Sequence, residues 1–516
     1  MQDLAAATVV EQTDRGTARR LLIWLLVVLG VGIVARLVRY ALQMPVWGDE
    51  SRLMLNVVTR GGYAELTAPL DYGQVAPLGF LAAQYTVVKH LGISELTLRL
   101  VPLVMGVAGL LLTAGLAVKV LPARAALFAA GIVATGHYTI RYSLDIKPYA
   151  GDLACAALIL LLATRWLGQP RRLAWPVALV CLTPVMLLLS YPAVFVSGGV
   201  CLAVFAELWR GRRTADRRQW ALFAAYGLVL VLSFGLVLRT TAEGQYAATY
   251  KAMMNHWALG LPPANPFAFV VWFFQVHTSE MFAYPVGSKN GGSALTFICF
   301  LMGAWVLWRR RQHQLLLLLL GAFALTFIAA AMRRYPYGGS GRVAQHLVPA
   351  ICLLAGLGIH EALNWCSRHR QDLLTVSITG ALLVIAAGGI VRMCLRPYHE
   401  RDDKTIQLAL TKWAGRAGPE TGVWYVGDIR RIPTQFRWYL YHGLGWDMSR
   451  IRTGFVEPSD LAARRNWWVV EYGTKSQRNR AAVEGAFQAA GGFTRTDLMQ
   501  EQLEEGGAFE LQWWTR

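Results

Sequence analysis

Two adjacent carboxylates, Asp49 and Glu50, follow the first long apolar stretch of the sequence in the run MPVWGDESRLMLNVV. An ionised carboxylate at the edge of a membrane helix is costly without a partner, and one in a water-filled cleft can accept a proton or bind a metal ion. In the alternative interpretation, Asp49 is the N-cap of a short helix from Glu50 to about Thr59, because Asp is a favoured N-cap residue and Glu suits the first turn. The spacing alone leaves both interpretations open.

A second segment, RYSLDIKPYAGDL, brings Arg141, Asp145, Lys147 and Tyr149 into one tight turn between two apolar stretches. Arg141 and Lys147 are suited to hold a phosphate, because a guanidinium offers bidentate contact and an ammonium offers a compact charge. In the alternative, Asp145 and Lys147 end the flanking helices and pair with each other. Both interpretations stay open at this stage.

A third run, RRYPYGGSGRVAQHL, combines the cations Arg333, Arg334 and Arg342 with several glycines and with His346. Glycines let backbone N–H groups approach the oxygens of an anion closely, so the run is suited to phosphate binding. In the alternative, the arginines contact lipid headgroups at the membrane surface.

The long polar stretch 239–293 contains a candidate metal site formed by His256, His277 and Glu280. The run HTSE lacks the tight ligand spacing of HExxH or of a zinc knuckle, and histidines on an aromatic-rich interfacial helix are the commoner case. The need for a divalent metal is therefore left open, and no other cofactor is indicated.

The overall composition indicates a membrane protein. Apolar residues make up 55% of the 516 residues, and charged residues make up 16%, against about 25% in an ordinary soluble chain. The net charge of +19 could suit nucleic acid, but a chain this apolar has too little soluble surface for such a partner. The seven cysteines are spread singly, so no disulfide framework is encoded.

Eleven apolar stretches are long enough to cross about 30 Å of hydrocarbon as helices. The predicted spans are 21–42, 97–118, 125–142, 150–167, 174–190, 192–208, 220–238, 294–308, 314–332, 343–362 and 372–392. The stretch 77–91 is shorter and ends in Lys89 and His90, so it is predicted as an interfacial helix on the outer leaflet. With eleven spans, the basic loops after the second, fourth, sixth, eighth and tenth spans face the cytoplasm together with the N-terminus, as the positive-inside rule requires. Arg36 and Arg39 lie at the outer end of the first span, where they either snorkel to the surface or contact a phosphate.

This topology predicts three parts of the chain. Residues 1–20 form a cytoplasmic tail, residues 21–392 form the transmembrane domain, and residues 393–516 form an exported α/β domain with strands near 422–427 and 466–473 and helices near 404–415 and 478–490. The outer loops of the transmembrane domain are 43–96, 143–149, 239–293 and 333–342. The fold class is thus an all-α polytopic membrane bundle with a small C-terminal α/β domain.

The carboxylate pair after the first span, the run GISELTLRLVPLVMGVAGLLL, and the motifs YSLDIKPY and GRVAQHLVPAICLLAGLG occur in an order that resembles one family. They are similar to the dolichyl-phosphate-mannose protein mannosyltransferase-like and aminoarabinose lipid A transferase-like enzymes of the GT-C glycosyltransferase superfamily. The likeness covers residues 20–362.

The resemblance implies a hexosyl- or pentosyltransferase of the bacterial inner membrane that acts on the periplasmic face. Its donor is a polyprenyl-phosphate sugar, and its acceptor is an envelope lipid, glycan or protein. Asp49 is then the general base, with Glu50 as the neighbouring alternative. Donor phosphate is held by Arg333, Arg334, Arg342, Lys147 and Arg141, and the site is ordered by Asp145, Tyr149 and His346.

Two other classes of function fit the same sequence. A secondary transporter or lipid flippase also combines a polytopic bundle with charged groups, but such proteins usually show inverted repeats and midplane binding residues. A scaffold for envelope assembly would tolerate the loss of Asp49 and Arg342 together. We therefore expect a glycosyl transfer with inversion, and we take the transporter as the alternative.

Overall fold

The computed structural model describes residues 15–212, 216–287, 291–399, 404–405, 407–408, 421–426, 438–439, 451–453, 456–473, 476–502 and 508–516. The chain forms two compact units. The first comprises Met1–Leu42, Arg60–Leu91 and Leu96–Leu395, and the second comprises Gln43–Thr59, Gly92–Glu95 and Arg396–Arg516. The second unit thus joins the segment with Asp49 and Glu50 to the C-terminal region.

The first unit contains the membrane-spanning helices. Within the described residues, nine helices are long and apolar enough to cross a membrane: Gly16–Ala41, Glu95–Val120, Tyr149–Gly168, Ala193–Arg210, Arg217–Thr240, Gly292–Arg309, His313–Ala331, Gln345–Asn364 and Arg368–Leu395. Two shorter apolar helices, Ala123–Thr135 and Ala174–Leu189, occupy the third and fifth predicted spans. Each predicted span therefore corresponds to a helix, and the polytopic bundle is confirmed.

The third predicted span, 125–142, is interrupted. Its helix ends at Thr135, and a short helix His137–Tyr142 follows Gly136, whose backbone is extended with φ −62° and ψ 127°. The N–H of His137 donates to the carbonyl of Pro285 at 3.0 Å instead of continuing the first helix. The prediction of one continuous helix was wrong here, because a glycine allowed the chain to exchange a helical hydrogen bond for a tertiary one.

Three further helices of the first unit are shorter: Leu78–Leu91, Glu243–Trp257 and Pro266–His277. The 14 residues of Leu78–Leu91 extend over about 21 Å at 1.5 Å per residue, which is less than a bilayer needs. One side of this helix buries Phe80, Leu81 and Gln84. A separate helix at 77–91 is confirmed, and its position on the outer leaflet stays a prediction.

Close helix packing in the first unit depends on small residues. A Cβ on Gly303 would lie 2.0 Å from the carbonyl oxygen of Leu354, and a Cβ on Gly358 would lie 1.9 Å from that of Cys299. Each of these two helices thus presents a glycine to the backbone of the other. Lipid offers no hydrophobic driving force between helices, so such close contact supplies the attraction.

The second unit contains a five-stranded mixed sheet with strand order β2-β1-β3-β5-β4. The strands are β1 (Thr421–Val426), β2 (Ile451–Thr453), β3 (Asn466–Gly473), β4 (Thr494–Gln502) and β5 (Ala508–Thr515). β1 is parallel to β2 and β3, whereas β5 is antiparallel to β3 and β4.

One face of the sheet is covered by the helix Ser476–Ala490. Phe487 of this helix stacks on Trp514 with ring centroids 4.4 Å apart, and it contacts Trp424 at 5.8 Å. The predicted α/β domain is therefore confirmed at both strands and at the second helix. Most of the predicted helix near 404–415 lies outside the described residues.

Candidate functional site

The carboxylates Asp49 and Glu50 lie in the first turn of the helix Gly48–Val58. The N-cap of this helix is Trp47, so the alternative in which Asp49 caps the helix does not hold. Glu50 is 1% exposed and accepts a hydrogen bond from the backbone N–H of Trp47 at 3.3 Å, which ties it to the start of the helix. Asp49 is half-buried and therefore more accessible to a substrate than Glu50 is.

Residues of the second unit hold the chain on the N-terminal side of this helix. The buried N–H of Val46 donates to the hydroxyl of Tyr439 at 3.1 Å, and this hydroxyl donates to Glu95 Oε1 at 3.3 Å. Gln407 Nε2 donates to the same carboxylate oxygen at 3.0 Å. The segment that leads to Asp49 is thus hydrogen-bonded to Tyr439 of the C-terminal region, and Glu95 accepts from both Tyr439 and Gln407.

Arg36 is an internal structural residue of the first unit. Its side chain is fully buried and donates to Ser143 Oγ at 3.0 Å and to the carbonyls of Gly32 at 2.8 Å, Ala134 at 3.2 Å and Val133 at 3.4 Å. The prediction that Arg36 snorkels to the surface was wrong, because these groups enclose its guanidinium within the unit. It links the first spanning helix to the third and to the turn that follows.

Asp145 lies in this turn and neutralises two arginines. Its carboxylate is 3.6 Å from Arg39 Nη2 and 3.6 Å from Arg141 Nε, and the residue is 4% exposed. Burial alone would lower the pKa of Arg141, but the carboxylate of Asp145 raises it above its ordinary value. The two guanidinium groups therefore share one carboxylate.

Lys147 has a different partner from the one predicted. Its ammonium group donates to Gln74 Oε1, and the alternative of a pair with Asp145 is not among the ion pairs of the described chain. Lys147 is buried, with 5% of its surface exposed. Tyr149 is half-buried and contacts the ring of Tyr142 edge-on at 5.4 Å. Arg141, Asp145, Lys147 and Tyr149 are thus brought together in one buried polar turn.

The arginine run contains exposed and buried parts. The side chains of Arg333 and Arg334 are exposed. Their backbone N–H groups donate to Ala330 O at 2.9 Å and to Ala329 O at 2.8 Å, at the end of the helix His313–Ala331. Arg342 is half-buried. The cationic groups of the run are therefore accessible to different extents.

His346 is a packed internal residue and not a group that faces a substrate. It is 1% exposed and lies 5.9 Å from the rings of both Phe195 and Tyr335. Its Nε2 is 3.0 Å from Thr326 Oγ1, whose own hydroxyl proton is donated to Ala322 O. Nε2 therefore carries the proton in this pair, and the contact holds two spanning helices together.

The glycines of this run pack against the chain and bind a carboxylate. A Cβ on Gly339 would lie 2.5 Å from the N of Gly260, and the φ of Gly339 is +74°, so only glycine fits. The N–H of Gly341 donates to Glu280 Oε2 at 2.9 Å. Burial and the nearby Glu280 carboxylate raise the pKa of Tyr138 to about 12. The anion bound by this glycine turn is thus Glu280 of the same unit.

The candidate metal ligands His256, His277 and Glu280 do not form a metal site. His277 is buried, with Nδ1 2.7 Å from Phe273 O and Nε2 3.1 Å from the hydroxyl of Tyr337, and burial lowers its pKa. His256 is exposed on another helix. Across the described ranges, no group of three or more His, Cys, Asp or Glu residues is arranged to hold a metal ion.

A polar cluster that the sequence did not indicate lies beside Lys147. Gln245 Oε1 accepts from the N–H of Ala76 at 3.1 Å and lies 3.4 Å from the hydroxyl of Tyr191, which donates to Ala76 O at 3.0 Å. Ser190 Oγ donates to Asp152 Oδ1 at 2.7 Å. A single glutamine in a mostly polar helix carries no distinctive pattern, so only the fold could single it out.

No family model and no curated protein matches the chain. Among solved structures, the chain is similar to ArnT from Cupriavidus metallidurans bound to undecaprenyl phosphate, with a TM-score of 0.55, 14% identity, and coverage of 95% of this chain and 98% of that one. It is also similar to the apo state of that protein, with a TM-score of 0.54, 14% identity, and coverage of 95% and 97%. Likeness at this identity shows a shared fold, and it extends over nearly the whole of both chains.

Proposed function

We propose that the protein is an inverting glycosyltransferase of the bacterial inner membrane that uses a polyprenyl-phosphate sugar. The observation that carries this proposal is the fold shared over 95% of the chain with a protein solved with undecaprenyl phosphate bound. The sugar is a hexose or a pentose, and the acceptor is a lipid, glycan or protein of the envelope. Transfer takes place on the periplasmic face, where eleven spans would place the outer loops and the C-terminal domain.

In the proposed reaction, an acceptor hydroxyl attacks the anomeric carbon of the sugar. The bond between this carbon and the phosphate oxygen breaks, and its electron pair leaves with the polyprenyl phosphate. Asp49 takes the hydroxyl proton late in the transition state. Help of this kind from a general base is worth about 100- to 10,000-fold in rate.

Cations of the first unit stabilise the leaving phosphate in this mechanism. Arg141 supports the assignment, because its raised pKa keeps it charged at any pH of the cell envelope. Lys147 lies in the same buried turn, and Arg333, Arg334 and Arg342 add charge from the second loop. Fixed cations stabilise a charge that develops in the transition state at little reorganisation cost.

The geometry favours Asp49 over Glu50 as the base. Glu50 is buried and receives the N–H of Trp47, so its carboxylate has a structural role. We expect Asp49→Asn to reduce sugar transfer by about 100-fold or more, and to leave the melting temperature unchanged. Purified protein in proteoliposomes, supplied with radiolabelled undecaprenyl-phosphate sugars and an envelope extract as acceptor, gives the measurement.

Asp460→Asn is the matched control, since Asp460 is an exposed aspartate in the first turn of the helix Pro458–Ala462 in the same unit. It should retain full transfer. Unimpaired transfer by Asp49→Asn would remove Asp49 from the mechanism. If the wild-type protein moved the labelled lipid between leaflets without transferring sugar, the flippase alternative would replace the proposal.

A further inference from the structure

The polar cluster around Gln245 contains a buried donor that has no partner among the described residues. Gln245 is 1% exposed, and its Nε2 has no hydrogen-bond partner within the part of the chain that the structure describes. The orientation of the amide follows from the backbone N–H of Ala76, which can only donate and therefore faces Oε1 and not Nε2. A primary amide has two N–H donors, so Nε2 offers both to whatever enters the cluster.

Buried polar groups of folded proteins nearly always have a partner, and an exception requires an explanation. Here the neighbouring polar groups are hydrogen-bonded to one another. Asp152 holds Ser190 at the corner between two spanning helices, and the next residue, Tyr191, contacts both Ala76 and Gln245. Gln245 Oε1 is thus fixed on one side, and Nε2 is held in one place.

The cluster is continuous with the buried turn of the proposed phosphate site. Lys147 donates to Gln74, which lies two residues before Ala76 in the chain. Phosphate prefers charged donors such as Lys147, because charge-assisted hydrogen bonds are about twice as strong as neutral ones. A neutral amide in the neighbouring cluster is better suited to the neutral hydroxyl and ring oxygens of a sugar that the phosphate carries.

We propose that the Nε2 group of Gln245 donates a hydrogen bond to a hydroxyl or ring oxygen of the donor sugar and thereby selects the sugar. This inference rests on the proposed function and adds a specificity-determining residue to it. A site that hydrogen-bonds a substrate hydroxyl discriminates strongly against ligands that lack it, since its buried donor is then left unpaired.

The test measures binding of two kinds of lipid to the full-length protein in nanodiscs by native mass spectrometry. The probes are undecaprenyl phosphate and its glucosyl and mannosyl derivatives. Gln245→Glu keeps Oε1 as an acceptor and replaces the donor, whereas Gln245→Met removes both. We expect the wild type to prefer at least one sugar-bearing lipid, and both variants to weaken its binding by about tenfold without affecting undecaprenyl phosphate.

Gln219→Glu is the matched control, because both ends of the Gln219 amide have a partner: Oε1 accepts from Trp166 Nε1 at 2.8 Å, and Nε2 donates to Pro170 O at 2.6 Å. This variant should lower the melting temperature and keep the lipid preference. An equal loss for all lipids, or an unchanged preference in both Gln245 variants, would overturn the inference while the proposed function stands. If the wild type bound none of these lipids, both this inference and the proposed function would be contradicted.

Discussion

Asp49 and Glu50 are neighbours in the chain, but the structure gives them different tasks. Glu50 is buried against the start of its helix, whereas Asp49 remains accessible. Arg36 and Arg39 differ in the same way, since Arg36 is surrounded by backbone carbonyls and Ser143, and Arg39 pairs with Asp145. At the scale of single residues, burial therefore separates groups that hold the fold from groups that are available for chemistry.

Arg36→Lys tests this separation at one residue. A lysine keeps the positive charge, but it cannot place donors at Ser143, Gly32, Ala134 and Val133 together. Since a hydrogen bond to a charged group contributes about 1.5–3 kcal/mol, we expect a loss of about 2 kcal/mol or more in stability. The measurement is the midpoint of thermal unfolding in detergent.

Arg20→Lys serves as the control, because Arg20 lies on the same helix and is exposed. It should leave the midpoint unchanged. Equal midpoints for both variants would mean that the four hydrogen bonds of Arg36 contribute little to stability.

At the scale of elements, two short segments carry most of the candidate chemistry. The turn after His137–Tyr142 is held by residues of the first unit, and it presents Asp145 with its two arginines. The helix Gly48–Val58 belongs to the second unit. The segment before it is held by the hydrogen bond from the N–H of Val46 to the hydroxyl of Tyr439. We infer that one task of the C-terminal region is to hold the helix that carries Asp49.

Tyr439→Phe tests this task. The change leaves the buried N–H of Val46 without its acceptor and removes one donor from Glu95. An unsatisfied buried donor costs about 1–3 kcal/mol, and the segment three residues before Asp49 loses a tether. We expect a lower transfer rate in proteoliposomes, with the first unit still folded.

The control for this variant is Tyr85→Phe, which removes an exposed hydroxyl that donates to Gly61 O at 2.9 Å. Transfer should be unaffected by this change. Full activity of Tyr439→Phe would show that the Val46–Tyr439 hydrogen bond is not needed to hold the Asp49 helix in place.

At the scale of the whole molecule, the proposed chemistry depends on sidedness. Eleven spans place the N-terminus and the C-terminal region on opposite sides of the membrane, with the loop at Arg309 to Arg311 inside. Ser459 and Arg311 are both exposed and lie in these two regions. They are therefore suitable positions for single reporter cysteines.

We expect Ser459→Cys, in a background without the seven native cysteines, to react with a membrane-impermeant maleimide in intact spheroplasts. Arg311→Cys should react only after the membrane is permeabilised, because the positive-inside rule retains arginine-rich loops in the cytoplasm. Labelling of both cysteines from the same side would contradict the eleven-span topology and, with it, a periplasmic location of Asp49.

The sequence by itself determined the bundle, the positions of its apolar helices, the short helix at 77–91 and the small α/β domain. These features follow from apolar length, from periodicity and from the charge of the loops, and these are local properties of the chain. The sequence also indicated Asp49 and the turn with Arg141, Asp145 and Lys147, because charged residues beside membrane helices are costly and therefore informative.

Only the tertiary structure decided which of these groups are partners. Asp145 pairs with Arg39 and Arg141 and not with Lys147, Gly341 binds Glu280, and Arg36 is enclosed by carbonyls of two helices. That Gln245 Nε2 has no partner among the described residues could not be read from the sequence for the same reason. Hydrogen bonds and ion pairs act over about 3 to 4 Å between residues that can be a hundred positions apart, so only the folded chain can assign them.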